Sequence, residues 1–338
     1  VCAMALSKRW GNTVIVKGGH DRGSQATDYA EHFVSNISYC LSSTRVASSY
    51  GHGSGCVFSS ALATFLAHGY LLRDAFTLSK AFIQQGFTKT ENTQHYYGAF
   101  EVTDWPTQAK YFPKVMSHVN DEYTDLMQFP SLDLNTNVEG EEKLGLYPVV
   151  DSVEWIERLL PANLNIIQLR LKHLPEAEIR TQISKAVALC RDTSTRLFIN
   201  DYWQLAIELG AYGVHLGQED LADADLAAIH RSGIRLGIST HGCYEFLLAQ
   251  QLAPSYLAIG AIFPTKTKDM TGQIQGVENL RHMLQLKQGI PVVAIGGITM
   301  ERAAKVWQTG VDSIAVVTAI TEAPAPLEAT QQLQQLLV

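Results

Sequence analysis

Three polar side chains alternate where one short apolar run ends, and their types suit the binding of phosphate groups. These are Gln168, Arg170 and Lys172, which share one face if the chain is extended there. An arginine fork and a lysine point charge together suit a diphosphate. Taken alone, the cluster has an exposed basic turn as its alternative.

Acidic residues follow the next two apolar runs. Asn200 and Asp201 end one run, and Asp220 comes shortly after the other. Mg²⁺ typically binds one or two carboxylates together with substrate phosphate. A single aspartate at such a position is more often a helix cap. Two aspartates facing a basic cluster favour the metal, so we predict an Mg²⁺ site at Asp201 and Asp220.

A fifth run ends at Ser239, and a long polar loop over 261–276 follows the sixth. This loop carries the hydroxyls of Thr265 and Thr267 and the cation of Lys268. Long loops after strands are usually lids or binding loops. The alternative is a lysine-rich surface loop without a ligand.

The seventh and eighth runs end in residues that are typical of a phosphate site. Gly297 belongs to a glycine pair, and glycines allow backbone N–H groups to approach a ligand closely. Val317 and Thr318 follow the last run. A tight turn is the alternative for the glycines. Since no Ser-His-Asp set or central Schiff-base lysine is evident, the predicted chemistry is positioning and charge stabilisation around a diphosphate leaving group.

The apolar runs that precede these residues alternate with helical patterns. Eight strands, each followed by a helix, in roughly 200 residues predict an α/β protein with a (β/α)8 TIM barrel, whose site lies at the C-terminal strand ends. An open doubly wound sheet is the alternative. The predicted strands are 144–150, 165–170, 195–200, 213–216, 235–239, 256–260, 291–295 and 313–317, and the clearest helices are 175–191, 223–232, 299–309 and 327–337.

Composition narrows the class of protein. The 338 residues suggest two domains, and the net charge of −7 shows no basic excess of the kind that nucleic-acid binders have. No apolar run reaches the roughly 18 residues of a membrane span. The five cysteines are odd in number and lack CxxC spacing, which fits a reducing cytoplasm. We therefore expect small-molecule substrates, no nucleic acid and no membrane, and we leave a homo-oligomer open.

Seven motifs from residue 144 onward resemble thiamine-phosphate synthase: QLRLK, FINDYWQLA, GVHLGQEDL, GIST, GAIFPTKTK, VVAIGGI and IAVVTAI. The resemblance implies a dissociative reaction, in which diphosphate leaves a pyrimidine methylene carbon and a thiazole nitrogen attacks it, assisted by Mg²⁺ at Asp201 and Asp220. It implies that the pyrimidine diphosphate is held by Gln168, Arg170, Lys172, Asn200, Ser239 and Lys268. It implies that the thiazole phosphate is held by Thr265, Thr267, Gly297, Val317 and Thr318.

The N-terminal part contains a second glycine-rich motif. TVIVKGGH over 13–20 predicts a strand, and GHGSGC over 51–56 precedes a helical stretch. A glycine-rich loop that opens a helix can bind an anion, and thiolate character is favoured for Cys56 at the helix start. A packing turn with a buried cysteine is the alternative.

This part resembles the C-terminal portion of hydroxymethylpyrimidine (phosphate) kinase, which has a ribokinase-like fold. The resemblance implies that Cys56 is the catalytic residue, that Gly53, Ser54 and Gly55 form its anion hole, and that ATP serves the kinase when complete. We expect 1–115 to be a partial ribokinase-like α/β domain that is inactive as truncated. A polar linker or surface arm is predicted over 116–143, and the barrel over 144–338.

Two other functions compete with the synthase. A different phosphate-binding barrel enzyme, such as an isomerase or aldolase, predicts a catalytic Glu or Lys at a strand end. A non-catalytic sensor of thiamine precursors predicts loss of the aspartate pair or of the basic cluster. The sequence keeps both features, which favours the synthase.

Overall fold

A computed structural model of the chain describes residues 2–47, 51–89, 102–116, 128–132, 143–265 and 274–337. The chain divides into two compact units. The first unit comprises 1–124 with 242–251, and the second comprises 125–241 with 252–338.

The N-terminal residues of the first unit form a small antiparallel sheet with helices. The strands of the sheet pair in the order β1-β2-β3-β4. A turn over 33–36 joins β2 to β3, and Asn36 adopts a φ of 49°, which asparagine tolerates in turns. The elements are α1 (Cys2–Trp10), β1 (Val14–Val16), β2 (Gln25–His32), β3 (Ile37–Thr44), α2 (Ser54–Ala67), α3 (Leu72–Lys89), a 3-10 turn (Ala109–Tyr111) and β4 (Lys114–Met116).

Eight parallel strands close into a barrel, which confirms the TIM-barrel prediction and excludes the open sheet. Nearly every residue of these strands is buried, because helices cover the outside and side chains fill the inside. The strands are β5 (Gly145–Val150), β6 (Ile166–Leu169), β7 (Arg196–Asn200), β8 (Gly213–Leu216), β9 (Arg235–Thr240), β10 (Tyr256–Ile259), β11 (Val292–Ile295) and β12 (Ser313–Val316).

Helices follow the barrel strands as the pattern predicts, with one difference. The helix expected over 223–232 spans only Leu226–Arg231, because Asp225 caps its start by accepting a hydrogen bond from the Ala228 N–H at 2.8 Å, and a separate short helix precedes it at Gln218–Asp223. The helices are α4 (Val153–Leu159) with a 3-10 turn (Leu160–Ala162), α5 (Glu176–Cys190), α6 (Trp203–Leu209), α7 (Gln218–Asp223), α8 (Leu226–Arg231), α9 (Cys243–Gln250), α10 (Gly276–Leu284), α11 (Met300–Trp307), α12 (Thr318–Thr321) and α13 (Pro326–Leu336).

Three aromatic rings fill the interior of the barrel below the strand ends. Tyr147, Phe198 and Tyr256 meet edge to face, with ring centroids 5.1 to 6.3 Å apart. Two glycines make room for them. A Cβ on Gly213 would lie 2.3 Å from the Phe198 ring, and a Cβ on Gly237 would lie 2.2 Å from the Tyr256 ring. The glycines are therefore required for space, so that large rings can fill a narrow barrel.

The surface arm predicted between the two domains differs from the structure over residues 128–132. Phe129 and Leu132 are buried, and Leu132 joins the apolar cluster inside the barrel. A short apolar pair in a polar segment carries no periodicity, which is why the sequence pattern missed it. Among the described residues, no helix is long and apolar enough to cross a membrane.

Candidate functional site

A cavity of about 370 Å³ lies at the C-terminal ends of the barrel strands. Residues that directly follow the strands line it, as the strand-end rule for this fold predicts. The sequence-predicted residues that it brings together are Gln168, Arg170, Lys172, Asn200, Asp201, Asp220, Ser239, Thr265, Gly297, Val317 and Thr318. Two others, Thr267 and Lys268, lie outside the described residues.

The cationic side of the cavity follows from the alternation of one strand. Ile166 and Gln168 in β6 point into the barrel, and the same spacing carries Arg170 and Lys172 to the cavity. The Arg170 N–H donates to the Val150 carbonyl at 2.7 Å, which extends the strand pairing past the end of β6. The extended backbone after β6 thus directs the side chains of Arg170 and Lys172 into the cavity.

Two carboxylates, Asp201 and Asp220, line the same cavity as these cations. Asp201 follows β7 in a left-handed conformation with φ of 68°, and Asp220 lies in the first turn of α7. Burial and the neighbouring carboxylate of Asp220 raise the pKa of Asp201 to about 6, although Arg170 and Lys172 act in the opposite direction. Close carboxylates that repel each other are the donor set that a divalent cation stabilises. The residues therefore fit Mg²⁺.

The described residues contain no group of three or more His, Cys, Asp or Glu side chains that could hold a metal. A metal held here by two carboxylates would complete its shell with water and substrate oxygens, which is the usual situation for Mg²⁺. The alternative role of Asp201 as a helix cap is not seen, because Tyr202 occupies the cap position of α6 and no side chain caps it.

The floor of the cavity holds polar groups that sequence reasoning missed. The Gln168 amide donates to the Tyr147 hydroxyl at 3.1 Å, and this hydroxyl lies 2.9 Å from that of Tyr256. His215 continues the contacts, with Nδ1 2.7 Å from the Tyr256 hydroxyl and Nε2 2.8 Å from the Ser239 Oγ. We call these five side chains the polar chain. A histidine in the middle of a buried strand was the only sequence signal for it.

His215 is a neutral member of the polar chain. Burial lowers its pKa to about 3, and repulsion from Arg170 and His241 acts in the same direction. A neutral imidazole has one donor and one acceptor nitrogen. His215 therefore contributes hydrogen bonds and no charge.

The glycine pair after β11 serves a purpose that the sequence did not predict. A Cβ on Gly297 would lie 2.4 Å from the Pro264 carbonyl oxygen and 2.9 Å from the Phe263 Cβ. Gly297 also has φ of 61° and lines the cavity. Its lack of a side chain is thus required by packing against the loop after β10, whether or not a ligand approaches the backbone.

The glycine-rich motif of the first unit opens α2. Gly53 precedes the helix with φ of 85°, and the Ser54 hydroxyl donates to the Gly51 carbonyl at 2.8 Å. Gly55 and Cys56 lie in the first turn of the helix. Cys56 is exposed, so the alternative of a buried packing cysteine is wrong.

Comparison with known proteins agrees with the geometry of the barrel cavity. The family model for thiamine monophosphate synthase matches residues 146–320, which is more than half of the chain. The chain belongs to this family. As a family member it is an enzyme of the transferase class.

Similar proteins cover the same region. The thiamine-phosphate synthase of Serratia proteamaculans (strain 568) is 57% identical over 195 residues, which are 58% of this chain and 92% of that protein. The thiamine-phosphate synthase of Yersinia pseudotuberculosis serotype O:1b is 54% identical over 197 residues, again 58% of this chain and 92% of that protein. Thiamine phosphate pyrophosphorylase from Pyrococcus furiosus is similar in structure, with a TM-score of 0.53, 32% identity, and coverage of 58% of this chain and 96% of that one.

A second family model covers the N-terminal part. The model for phosphomethylpyrimidine kinase matches residues 1–101. The chain thus combines a kinase-like segment with a barrel of the thiamine monophosphate synthase family.

Proposed function

We propose that residues 144–338 condense 4-amino-2-methyl-5-hydroxymethylpyrimidine diphosphate with a thiazole phosphate, releasing thiamine phosphate and diphosphate. The observation that carries the proposal is the cavity itself. The cations of Arg170 and Lys172 and the carboxylates of Asp201 and Asp220 line it together at one end of a closed barrel. Such a site suits a substrate whose leaving group is a diphosphate with a divalent cation.

The bond to be broken joins the pyrimidine methylene carbon to the diphosphate. Both electrons of that C–O bond leave with the diphosphate oxygen, and the lone pair of the thiazole nitrogen then forms the new C–N bond. Arg170 and Lys172 stabilise the charge that develops on the diphosphate. Because the leaving group needs no proton, the site requires positioning rather than general acid catalysis.

Mg²⁺ would be held by Asp201 and Asp220 and would supply further positive charge to the diphosphate. Asp201 and Asp220 both line the cavity, and burial together with the Asp220 carboxylate raises the pKa of Asp201 to about 6, which supports this assignment. Asn200, which is buried at the end of β7, contributes an uncharged amide beside the carboxylates.

For the thiazole phosphate we propose the opposite side of the cavity. Thr265, Gly297, Val317 and Thr318 line the cavity. These residues offer hydroxyls and backbone N–H groups, which bind phosphate without adding charge. The proposal extends to Thr267 by its sequence position in the same loop, while Lys268 of that loop is proposed to bind the pyrimidine diphosphate.

The direct test is formation of thiamine phosphate from the two substrates and Mg²⁺. We expect turnover by the full chain and a loss of at least about 100-fold in kcat/KM for Arg170→Ala, as for removal of a group that stabilises transition-state charge. Arg180→Ala is the matched control, because Arg180 is an exposed arginine that pairs with Glu208. Absence of turnover, or equal loss in both variants, would contradict the proposal.

For residues 1–115 we propose a kinase-type site at the start of α2, with ATP as its cofactor. Cys56 would be the catalytic residue, and Gly53, Ser54 and Gly55 its anion hole. Their place at the start of a 14-residue helix supports the proposal. An assay of ATP-dependent phosphorylation of hydroxymethylpyrimidine phosphate by this chain, with and without Cys56→Ala, tests it.

A further inference from the structure

The polar chain connects two residues that we assign to the same substrate. Gln168 and Ser239 form its ends, and both line the cavity. Tyr147, Tyr256 and His215 lie between them and are at most 6% exposed. Because buried polar groups must satisfy one another, the hydrogen positions along such a chain are not independent.

The hydrogen bonds at the Gln168 end run in one direction. The Gln168 Nε2 donates to the Tyr147 hydroxyl, and a hydroxyl has only one hydrogen of its own to donate. Tyr147 is 1% exposed, and among the described residues the Tyr256 oxygen, 2.9 Å away, is the one acceptor within reach of its hydroxyl hydrogen, so Tyr147 donates to Tyr256. Tyr256 must then donate its own hydrogen to His215 Nδ1 at 2.7 Å.

The direction continues to the other end. Since Nδ1 of the neutral His215 accepts, its proton is on Nε2. The Nε2–H donates to the Ser239 Oγ at 2.8 Å, which leaves the hydroxyl hydrogen of Ser239 available to the cavity. At the opposite end, no described residue donates to the Oε1 of Gln168. The chain thus presents an acceptor at Gln168 and a donor at Ser239.

The reverse direction would exchange these two properties together. If the Gln168 amide turned over, Tyr147, Tyr256 and His215 would each reverse their hydrogen bonds. The cavity would then meet an N–H donor at Gln168 and a lone pair at Ser239. A lone pair repels an anion. Turning the Gln168 amide would therefore weaken the binding of an anion at Ser239.

We propose that Tyr147, Tyr256 and His215 are positioning residues that couple the orientations of the two end groups. The inference rests on the function proposed above, in which the substrate carries an amino group and a diphosphate. The acceptor at Gln168 suits the ring amino group, and the donor at Ser239 suits the diphosphate. A ring with an oxo group in place of the amino group is disfavoured at both ends. To donate to the oxo group, the Gln168 amide must turn over, and the polar chain then reverses the Ser239 hydroxyl as well.

The direction can be measured without any substrate. Histidine ¹⁵N NMR of the labelled full chain distinguishes the two neutral tautomers, and the His215 signal is the one missing in His215→Asn. We expect the proton on Nε2 in the unaltered protein and a mixture of tautomers in Tyr256→Phe, which lacks the donor to Nδ1. A proton on Nδ1 in the unaltered protein would overturn the proposed direction.

The coupling is measured as substrate preference. The ratio of kcat/KM for the amino substrate to that for its 4-oxo analogue should fall about tenfold in Tyr256→Phe, about the effect of one hydrogen bond. Tyr212→Phe is the matched control, because Tyr212 packs on Phe198 at 5.7 Å and is outside the polar chain. Tyr147→Phe should lower the ratio in the same way and replaces Tyr256→Phe if that variant fails to fold.

The two measurements separate the possible failures. An unchanged preference in both Tyr147→Phe and Tyr256→Phe would overturn the positioning role. A protein that forms no thiamine phosphate but keeps the Nε2–H tautomer would refute the proposed function and leave the direction of the chain intact. A purely structural role predicts equal loss of activity toward both substrates, so the ratio would not move.

Discussion

Asp28, a buried carboxylate of the first unit, and Asp201 at the barrel cavity are held under opposite electrostatic conditions. Asp28 in β2 is 2% exposed and accepts hydrogen bonds from Lys17, from Lys80 at 2.9 Å and from the Gly18 N–H at 2.9 Å. Burial by itself would raise the pKa of Asp28, but Lys80 and Lys17 outweigh it and hold the pKa below its ordinary value.

At Asp201 the compensation by neighbouring cations is smaller than the opposing effects. Burial and Asp220 raise its pKa, and the nearby cations Arg170 and Lys172 do not offset them. The charge-paired cluster around Asp28 is therefore typical of a structural site, whereas the raised pKa of Asp201, among cations in a cavity, is typical of a site that binds a ligand. Strength of burial alone does not distinguish the two, since Asp28 is the more buried carboxylate.

The largest effect that this comparison predicts is at the cavity. Asp201→Asn and Asp220→Asn should each lower synthase kcat/KM by about 1000-fold and raise the Mg²⁺ concentration needed for half-maximal rate, because one of two metal ligands is weakened. Steady-state rates across a Mg²⁺ titration measure both effects.

Asp223→Asn is the control for this pair, because Asp223 is an exposed aspartate at the end of the same short helix as Asp220. It should retain normal turnover. Normal turnover of Asp201→Asn at low Mg²⁺ would show that the carboxylates do not hold the metal.

A smaller effect is expected at the structural cluster, and only on stability. Asp28→Asn leaves the 5% exposed Lys80 without its charge partner and should cost about 3 kcal/mol of local stability. Hydrogen–deuterium exchange should show this loss in peptides from β2 and β3. Synthase kcat/KM should stay unchanged, because Asp28 lies outside the cavity.

The pH dependence of the local stability around Asp28 tests the same cluster independently. A carboxylate with a lowered folded-state pKa contributes stability above its ordinary pKa of 3.8 and loses it as the pH falls through the folded value. Protection of β2 should thus decline toward low pH in the unaltered protein, and less so in Asp28→Asn. Asp21→Asn, an exposed change, should follow the unaltered protein.

A third effect concerns the room made for aromatic rings in the barrel. Gly237→Ala should cost about 2 kcal/mol of barrel stability, because its Cβ would overlap the Tyr256 ring. Gly213→Ala should cost a similar amount through Phe198. Only Gly237→Ala should also disturb the polar chain, so thermal unfolding should respond to both variants and the substrate preference to one. An equal substrate preference in Gly237→Ala and Gly213→Ala would show that this packing does not affect the polar chain.

The smallest effect is expected from Cys56→Ala. Its exposed side chain belongs to the first unit, so synthase kcat/KM should not change, while any ATP-dependent phosphorylation by the chain should be lost. Cys2→Ala, another exposed cysteine, is the control. A drop in synthase rate specific to Cys56→Ala would mean that the two regions are not functionally separate.

Much of the barrel and its rim could be predicted from the sequence. Runs such as NIIQLR predict a strand from local composition, and the observed β6 at Ile166–Leu169 lies within that run. Period-two alternation then carries Arg170 to the cavity, as observed. These features depend on neighbours along the chain, so local physical rules suffice for them. By contrast, Phe129 and Leu132 are core residues through contacts far along the chain, Phe129 with Ala253 and Leu132 with the apolar cluster inside the barrel.

The polar chain shows what only the tertiary structure decided. From sequence, Tyr147, Tyr256 and His215 are side chains in buried strands, with no sign that they meet. Tyr147 and Tyr256 are 109 positions apart and touch because barrel closure brings β5 and β10 around the same interior. The sequence of hydrogen-bonded partners along the polar chain determines which atom donates in each bond. These partners meet only when the barrel strands are paired in the observed register. Sequence determined which groups are available, and closure of the barrel decided which of them are hydrogen-bonded partners, because a hydrogen bond requires contact within about 3 Å and the sequence specifies no such distance.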